Sequence, residues 1–424
     1  MENRVARFNF WDSPSTAQWF KGHGYTLYQR VNNSAVLRPT FPSEFDSNNA
    51  DYPYAYCDSE TSRSNEQPLE VYESRGKIAY AQDSLNRHVV IKIVPAGTEE
   101  YRILRFLNEQ KLETLKDNCV IPVLDLLPVE GFWFVVMPRW GYSINLPYMG
   151  YMHEVVTIIH SLLKVGLVVC LFCVTDGFRK QGLAYLHEHN IVHGDIAQRN
   201  FLVNHFSCET HQNQKRANLR SNQRLLYAII DFDFSVMLSP EADRNQLRLP
   251  YYESWSTYHP AKDTHAGEFD FNPFIFDVGV MGVLLCVEFQ RMSQKLPILA
   301  PLLDRMTTWD LERRFTASEA LHFFEERLSE ITKDQLQLQV DKDTDPQYYD
   351  EYDRWTGLSP DFVEKWKAYR TPPLPWHMRF LRRICQVPYI SHIVPRTRLF
   401  FYRLSLLCRR LLAKIFPSKI ASPL

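Results

Sequence analysis

The sequence predicts an α+β fold of two lobes, in which a small β-rich lobe precedes a larger helical lobe. From Leu69 to Pro138 short apolar runs of strand length dominate, with one helical stretch at about residues 98–110. From Ile158 onward apolar residues recur at helical spacing, interrupted by short strands near residues 201–203 and 225–230. With 424 residues, of which 45% are hydrophobic and 23% charged, the chain is long enough to bury a large core.

The same patterns divide the chain into four parts. The first is an aromatic and polar N-terminal extension, and the second is the two-lobed domain. The third is an irregular extension, acidic and then Pro-rich, and the fourth is a basic amphipathic tail. We place these parts at residues 1–66, 67–330 (small lobe about 67–138, large lobe about 139–330, insert 165–181), 331–375 and 376–424.

Charge and composition narrow the classes of partner. The formal net charge of −1 argues against a globally basic nucleic-acid-binding protein. The charge is uneven, because Lys365 to Leu424 contains 13 Lys and Arg and no Asp or Glu. Of the eight cysteines, Cys170 and Cys173 form a lone CxxC in an apolar run, so zinc or redox chemistry is not expected. Met1 to Phe10 is polar rather than signal-like, so we expect an intracellular protein, cytoplasmic or nuclear.

The segment from His193 to Asn200 carries the pattern most informative about chemistry. Asp195 has Asn200 five residues later, then an apolar run of strand length, and Asp231 follows a second such run. Both acids are therefore predicted at junctions between a strand and a loop. In phosphoryl transfer, one Asp can accept the proton of the attacking hydroxyl, while an Asn and a second Asp can hold Mg²⁺. The pattern predicts Asp195 as the base, and Asn200 and Asp231 as metal ligands.

A lysine inside an apolar strand indicates the other half of the site. Lys92 lies within Val89–Val94, and a Lys among apolar strand residues needs a partner. Glu100, eight residues later at the start of the predicted helix, is the candidate. The alternative is that Lys92 extends its ammonium into solvent from a sheet edge, and that Glu100 is a first-turn Glu favoured by the helix dipole.

These motifs resemble the protein-kinase superfamily, whose catalytic loop reads His-Arg-Asp and whose metal motif reads Asp-Phe-Gly. Asp277–Gly282 is similar to the start of the kinase central helix, whose Asp bonds the catalytic-loop backbone. Leu302–Leu321 is similar to the end of the kinase domain, with Arg314 as its buried structural Arg and Glu268 as a candidate partner for it. With the aromatic leader, the pattern resembles the kinase-like proteins expanded in mushroom-forming (basidiomycete) fungi, over about residues 10 to 330.

The resemblance implies a two-lobed protein-kinase-like fold and an ATP- and Mg²⁺-dependent transferase acting on Ser, Thr or Tyr hydroxyls of a protein substrate. Lys92 would contact nucleotide phosphates and pair with Glu100, and Arg199 would balance charge on the transferred phosphate. Gly76 is the remaining glycine of the phosphate loop, and Met137, in the strand leading to the hinge, is the expected neighbour of adenine. The implied sites are Asp195, Arg199, Lys92 and Glu100 for catalysis, Lys92, Gly76, Met137, Asn200 and Asp231 for the cofactor, and Asn200 and Asp231 for metal.

Departures from the kinase pattern leave two alternatives open. Val71 and Glu73 occupy the first two glycine positions of the phosphate loop, and Glu73 brings negative charge near the phosphates. Gly194 replaces the Arg of the catalytic loop, and Asp233 replaces the Gly of the metal motif. One alternative is a pseudokinase scaffold that binds partners without turnover. The other is a small-molecule kinase of the aminoglycoside or choline type, whose loop reads His-Gly-Asp.

Three further segments carry separate expectations. Residues 165–181 interrupt a helical pattern, as a translated intron would, or as a real helix extension would. The polar stretch 204–225 is predicted to be a solvated loop or a docking point for an acidic partner. Residues 400–416 can be drawn as a helix with an apolar and a basic side. That helix would bind a membrane surface or an acidic partner, or it would pack on acidic parts of its own chain.

Overall fold

The computed structural model describes residues 3–32, 34–41, 51–58, 69–164, 183–207, 213–256, 261–341 and 348–415. Over these ranges a small lobe built on a β-sheet precedes a larger helical lobe, so the predicted two-lobed α+β fold is confirmed. The predicted insert at 165–181, with Cys170 and Cys173, lies outside the described residues.

The small lobe is centred on an antiparallel sheet. Its strands are β1 (Thr26–Leu27), β2 (Gln29–Arg30), β3 (Val36–Arg38), β4 (Tyr56–Asp58), β5 (Val71–Tyr72), β6 (Ile78–Gln82), β7 (His88–Pro95), β8 (Asp125–Val129) and β9 (Phe132–Pro138), and its helices are α1 (Arg4–Trp11), α2 (Pro14–Gly22), α3 (Glu99–Asn108) and α4 (Leu112–Asp117). The main sheet has the order β1-β6-β7-β9-β8, and β2, β3 and β5 form a second sheet. Helix α3 matches the predicted helix, whereas α4 is an addition to the prediction.

Strand β7 explains how Lys92 reaches the interior of the molecule. Successive side chains of a strand point to opposite faces of its sheet. Val89 and Ile91 are fully buried on the face covered by the N-terminal helices. Lys92 therefore shares the opposite face with Val94, which packs in the core that includes Ile103 of α3.

The aromatic leader is part of the small lobe rather than a separate extension. Trp11 and Phe20 are buried against the main sheet, and the Phe20 ring centroid lies 4.9 Å from that of Phe134 on β9. The leader also contributes an edge strand, since Thr26 pairs with Gln82. The predicted packing role of these aromatic residues is confirmed, and their loss would remove a large share of the apolar cover of the sheet.

The helical lobe follows from residue 152. Its helices are α5 (Met152–Lys164), α6 (Leu183–Glu188), α7 (Gln214–Ser221), α8 (Pro273–Phe289), α9 (Leu299–Thr307), α10 (Ala317–Leu328), α11 (Lys333–Leu336), α12 (Pro360–Trp366), α13 (Trp376–Ile384) and α14 (Ile390–Ile415). Its short strands are β10 (Ile191–Val192), β11 (Phe201–Val203), β12 (His205–Ser207), β13 (Tyr227–Ile229), β14 (Val236–Met237), β15 (Leu249–Pro250) and β16 (Asp270–Phe271). Strands β10, β11 and β15 pair with β14, β13 and β16, while β12 pairs with β4 of the leader.

Helix α8 is the central helix of this lobe. It begins after Asn272, whose side chain accepts hydrogen bonds from the backbone N–H groups of Phe274 and Ile275, and Pro273 occupies the first turn. By length and composition Pro273–Gln294 could cross a membrane, but 83% of that window is buried inside the fold. A mostly apolar helix that is largely buried is typical of a protein core.

The predicted irregular extension at 331–375 is wrong in part, because it contains α11 and α12 and belongs to the main core. Trp355 and Trp366 are buried in the same apolar cluster as the central helix. Arg354 forms an ion pair with Asp304 of α9 at 2.8 Å, with both side chains at least nine-tenths buried. These long-range contacts tie the extension to the end of the helical lobe.

The polar stretch 204–225 forms α7 over 214–221, so the prediction of a solvated loop is wrong there. Arg216 is 1% exposed and Arg220 is 3% exposed. Arg216 donates to the carbonyl oxygens of Tyr142 at 2.8 Å and His205 at 2.6 Å, and Arg220 donates to that of Leu146 at 2.7 Å. Both guanidinium groups therefore satisfy the backbone after the hinge strand, and they do not present a surface for an acidic partner.

The tail is helical over the described part of residues 376–424, and the predicted helix lies within α14. The first half of α14 packs on its own chain, since His392 Nδ1 lies 3.1 Å from the Tyr251 hydroxyl and Arg398 lies 3.9 Å from Glu268. From Tyr402 to Leu411 its side chains are largely exposed. The tail thus combines self-packing with a segment that projects into solvent.

Candidate functional site

A cavity of about 190 Å³ lies between the small-lobe sheet and the helical lobe. Lys92, Glu100, Met137 and Asp231 all contribute to its wall, so these predicted residues lie together. Among the described residues, its wall does not include Gly76, Asp195, Arg199 or Asn200. The volume is below the roughly 300–1,000 Å³ of typical small-molecule sites.

Lys92 is the centre of a group of carboxylates. Its ammonium pairs with Glu100 on α3, lies 2.7 Å from Asp231 Oδ1 and lies 2.5 Å from Asp233 Oδ1. Thr98 caps α3, which places Glu100 in its first turn, facing β7. The predicted Lys92–Glu100 pair is present in the structure, and the alternative of a solvent-exposed lysine does not hold, because the Lys92 side chain is 15% exposed.

The electrostatics of this group are set by burial and by mutual attraction. Burial by itself would lower the pKa of Lys92, but Glu100, Asp231 and Asp233 together raise it. Burial raises the pKa of Glu100 to about 7, against the opposing effect of Lys92. For Asp233, burial acts upward, yet Lys92 outweighs it and the pKa falls below its usual range. Lys92 is therefore held as a cation.

The oxygen atoms near Lys92 form a donor set suited to a hard cation. Glu100, Asp231 and Asp233 each offer a carboxylate oxygen, and these three atoms lie within 4.8 Å of one another. Mg²⁺ prefers carboxylate and amide oxygens. Asp233, which stands where the kinase pattern has Gly, is the additional acid here. The residues present thus fit Mg²⁺, with Lys92 as the cation that competes for the same carboxylates.

Antiparallel pairing of β11 and β13 brings the two predicted metal ligands to the same end of this strand pair. Phe201 pairs with Ile229, and Ile230 N donates to Asn200 O at 2.9 Å. Asn200 therefore lies just before one strand, and Asp231 lies just after the other. Asp231 has a φ of +70°, which lies in the left-handed region that Asp tolerates better than most residues.

The catalytic loop holds Asp195 through short polar contacts. The Asp195 carboxylate is nearly fully buried and accepts hydrogen bonds from Arg199 Nη2 at 3.0 Å and Asn200 Nδ2 at 3.0 Å. Asn200 Nδ2 also donates to Asp195 O at 2.7 Å, so the carbonyl oxygen of the Asn200 amide is the atom that remains for a metal. Arg199 places a positive charge beside the candidate base, with 56% of its side chain exposed.

His193 and Asp277 fix the backbone of this loop. Asp277 accepts hydrogen bonds from His193 N at 2.7 Å and Gly194 N at 3.0 Å, which confirms the predicted role of Asp277 on the central helix. His193 Nε2 donates to Ile230 O at 3.0 Å, while its Nδ1 accepts from Asp195 N at 3.3 Å. Burial lowers the pKa of His193, so it is a neutral structural bridge between the two motifs.

Gly194 has a structural reason to replace Arg. Its φ is +76°, and a Cβ there would lie 2.5 Å from the carbonyl oxygen of Phe234. A residue with a side chain would be strained by its backbone conformation and would collide with this loop. The tight approach joins the catalytic loop to the segment after Asp233.

The phosphate-loop position is filled by the chain itself. Glu73 is 6% exposed, and its carboxylate accepts hydrogen bonds from Arg75 N at 3.0 Å and Gly76 N at 2.6 Å. Helix α1 holds the loop from outside, since Trp11 Nε1 donates to Gly76 O at 2.9 Å. Gly76 has a φ of +70°, and its amide is directed to Glu73. The expected negative charge is therefore placed where phosphate oxygens would accept these hydrogen bonds.

The predicted partner of Arg314 is wrong. Arg314 forms a bidentate pair with Asp263, at 2.6 and 2.8 Å, and both side chains are almost fully buried. Glu268 instead accepts a hydrogen bond from Ala266 N at 2.9 Å and lies near Arg398. The sequence offered several acids before the central helix, and spacing by itself did not indicate which one the fold would bring to Arg314.

A match to a family model agrees with this architecture. Residues 70–215 match the family model for protein tyrosine and serine/threonine kinases. No curated protein matches the chain. Among solved structures, the autoinhibited serine kinase domain of the giant muscle protein titin is similar, with 15% sequence identity, a TM-score of 0.39, and coverage of 60% of this chain and 78% of that one. The two-lobed architecture and the family match show a kinase-like fold and support the protein-kinase superfamily as the group to which this chain is related.

Proposed function

We propose that this chain is an ATP- and Mg²⁺-dependent phosphotransferase that phosphorylates hydroxyl groups of a protein substrate. The observation that carries the proposal is the Lys92–Glu100 ion pair next to Asp231, which joins the small-lobe sheet, helix α3 and the metal motif in one cleft. A lysine held as a cation in this position is suited to nucleotide phosphates.

Residues of the helical lobe would supply the base, the positive charge near the phosphate and the metal ligands. Asp195 would accept the proton of the substrate hydroxyl, and Arg199, which donates a hydrogen bond to Asp195, would balance charge on the phosphate. Asp231 and Asn200 would hold Mg²⁺. When bound, the metal neutralises charge on the phosphate oxygens. Met137 lines the cavity at the end of the hinge strand and would contact adenine.

A pseudokinase is the second candidate, and specific contacts favour it. Glu73 accepts the hydrogen bonds of the loop amides, and Asp233 forms an ion pair with Lys92. Together with the small cavity, these contacts describe a state that has to rearrange before it can accept nucleotide. A small-molecule kinase is less well supported, because the backbone contacts of Asp277 and the buried pair of Arg314 were the two features expected of protein kinases.

Phosphate transfer from radiolabelled ATP with Mg²⁺, to the chain itself and to generic protein substrates, tests the proposal. We expect transfer by the native chain and its loss in Asp195→Asn. Asp243→Asn, the same change at an exposed loop position, is the matched control and keeps native transfer. Absence of transfer from folded protein, with retained binding of ATP, would establish the pseudokinase instead.

We also propose that the exposed part of the tail contacts an anionic membrane surface. Phe400, Leu404, Leu407 and Leu411 follow one side of α14 at helical spacing, and each is at least 43% exposed. Arg403, Arg409 and Arg410 lie on the same segment. Exposed apolar and basic side chains on one helix complement an anionic lipid surface. We also propose that the protein is intracellular and that it is related to the fungal kinase-like proteins, as the sequence suggests.

Flotation with phosphatidylserine-containing liposomes tests the tail. We expect the full chain to float, and a variant with Leu404→Gln and Leu407→Gln to stay at the bottom. The matched control is Val287→Gln, an exposed apolar residue on α8 that is remote from the tail in sequence. Flotation that is equal for all three proteins would rule out the tail as the membrane contact, and binding to acidic proteins only would favour the other partner class.

A further inference from the structure

A second and larger cavity, of about 710 Å³, lies between the end of the helical lobe and the C-terminal segment. Its walls come from the turn at residues 262–263, from α9, from residues 349–355 and 370–374, and from α13. The size falls within the range of small-molecule binding sites. None of the residues predicted for phosphate transfer contributes to this cavity, so it is distinct from the cleft at Lys92.

The carboxylates of this cavity are already neutralised. Four aspartates line it, and each forms an ion pair with one cationic side chain that also lines it. The pairs are Lys262–Asp350 at 2.5 Å, Arg314–Asp263 at 2.6 Å, Arg354–Asp304 at 2.8 Å and Arg370–Asp353 at 2.9 Å. These eight groups therefore contribute no net charge.

Three arginines of α13 remain unmatched. Arg379, Arg382 and Arg383 line the cavity, and among the described residues no carboxylate lies within ion-pair distance of any of them. Residues spaced by three and four lie on one face of a helix, so the three positive charges are neighbours and repel one another. Arg382 Nη2 donates to Lys262 O at 3.2 Å, while its Nε is buried without a hydrogen-bond partner. An unsatisfied buried donor is costly unless a ligand satisfies it.

The other ionisable groups near α13 do not neutralise its positive charge. Burial lowers the pKa of His265 first, and the positive charges of Arg382 and Lys262 lower it further, against Asp263 and Asp350. Glu268 is the acid that approaches Arg382 from the neighbouring segment, but its ion pair is with Arg398, at 3.9 Å. The cavity is thus net positive, with its surplus charge on one helix face.

We propose that this cavity binds a compact, soluble organic phosphate, with about as many negative charges as there are unmatched arginines. Planar guanidinium groups match phosphate oxygens in pairs, and a cluster of them is the usual protein solution for a phosphate that carries more than one charge. The site joins α13 to the turn that holds Asp263, so its ligand would fasten the C-terminal segment to the helical lobe.

Calorimetric titration of the full chain with inorganic tripolyphosphate, without Mg²⁺, tests the proposal. We expect saturable binding that becomes roughly tenfold weaker or more in Arg379→Gln/Arg383→Gln. Both side chains are exposed at the cavity rim, so this variant should keep the native melting temperature in the absence of ligand. Arg396→Gln, an exposed arginine of α14 outside the cavity, is the matched control and should bind as the native chain does.

Two further experiments distinguish binding at this cavity from binding in the cleft and from binding of a lipid headgroup. Lys92→Met reports on the cleft between the lobes. Weaker binding of tripolyphosphate in this variant, with full binding in the α13 variant, would place the anion at Lys92 and overturn the proposal. Binding that is equal in all variants would also overturn it. Phosphatidylcholine vesicles with and without a phosphoinositide test a lipid headgroup as the source. Capture by phosphoinositide vesicles without any binding of tripolyphosphate would rule out the soluble ligand.

Discussion

Replacement of Glu73 tests whether this side chain limits nucleotide affinity. Its carboxylate accepts hydrogen bonds from two backbone N–H groups, at 2.6 and 3.0 Å, and its side chain is almost fully buried. A phosphate oxygen that accepts the hydrogen bond of Gly76 N would need the same space. Nucleotide binding therefore requires the Glu73 side chain to move away. If it stays, its carboxylate repels the phosphate by about 4 kcal/mol at a separation of 4 Å and an effective dielectric constant of 20.

The magnitude follows from the one hydrogen bond, from Gly76 N to Glu73, that a phosphate oxygen would replace. A hydrogen bond to a charged group contributes about 1.5–3 kcal/mol. Removal of Glu73 should therefore improve nucleotide affinity by roughly that amount, which corresponds to about 10- to 150-fold in Kd. The loop retains its shape in this variant, because Trp11 and Arg7 of α1 bind the carbonyl oxygens of Gly76 and Arg75.

Calorimetric titration of Glu73→Ala with a non-hydrolysable ATP analogue and Mg²⁺ measures the effect. The thermal stability without nucleotide should fall at the same time, since two loop amides lose their acceptor. Glu70→Ala is the matched control, because Glu70 lies three residues earlier and pairs with Arg38 at 2.6 Å on the surface. Unchanged or weaker affinity in folded Glu73→Ala, with native affinity in the control, would refute the reasoning.

Three other predictions follow from the buried ionisable groups. Because the pKa of Glu100 is raised to about 7, Glu100 should gain a proton as the pH falls through 7, and this proton ends its pairing with Lys92. The rate of phosphate transfer should therefore decline over this range. A pH–rate profile with the same acid limb in Glu100→Gln would contradict this prediction. Asp263→Ala should lower the free energy of unfolding by about 3–5 kcal/mol in urea denaturation, because it leaves Arg314 buried without its partner, and a loss below 1 kcal/mol would contradict it. Burial lowers the pKa of His88 to about 3, below its value near 6.5 in the unfolded chain. The free energy of unfolding should therefore fall as the pH decreases from about 6.5, because the unfolded chain takes up the proton first. In denaturation at several pH values, His88→Gln should reduce this dependence of the free energy of unfolding on pH.

Much of the candidate site could be predicted because its residues belong to short local patterns. Lys92 lies in a strand whose alternation determines which face it occupies, and Glu100 follows a capping Thr that begins α3. Asn200 and Asp231 flank β11 and β13, which pair directly although β12 and α7 lie between them in the chain, so their proximity follows from a single strand pair. Each inference needs one element, or two neighbouring elements, and no knowledge of the global packing.

Other parts of the site depended on contacts between distant segments. Asp263 rather than Glu268 pairs with Arg314, because the fold decides which of several acids reaches a buried arginine. Arg216 is of a residue type usually found at the surface, yet it is buried. Its Nη1 donates to the carbonyl oxygens of Tyr142, Ser143 and Leu146, and its Nη2 donates to that of His205. A sequence pattern records charge, but it does not record the acceptors that lie 70 residues away.

The sequence by itself determined the two-lobed α+β order, the strand that carries Lys92, and the loop that carries Asp195 and Asn200, since hydrophobic periodicity and local spacing specify elements and the faces of those elements. Only the tertiary structure decided that Glu73 turns back onto the loop amides, that Asp233 shares Lys92, and that the leader and the extension at 331–375 belong to the cores of the two lobes. The physical reason is that burial and pairing are properties of the surroundings of a side chain, and these surroundings are assembled from segments far apart in the chain.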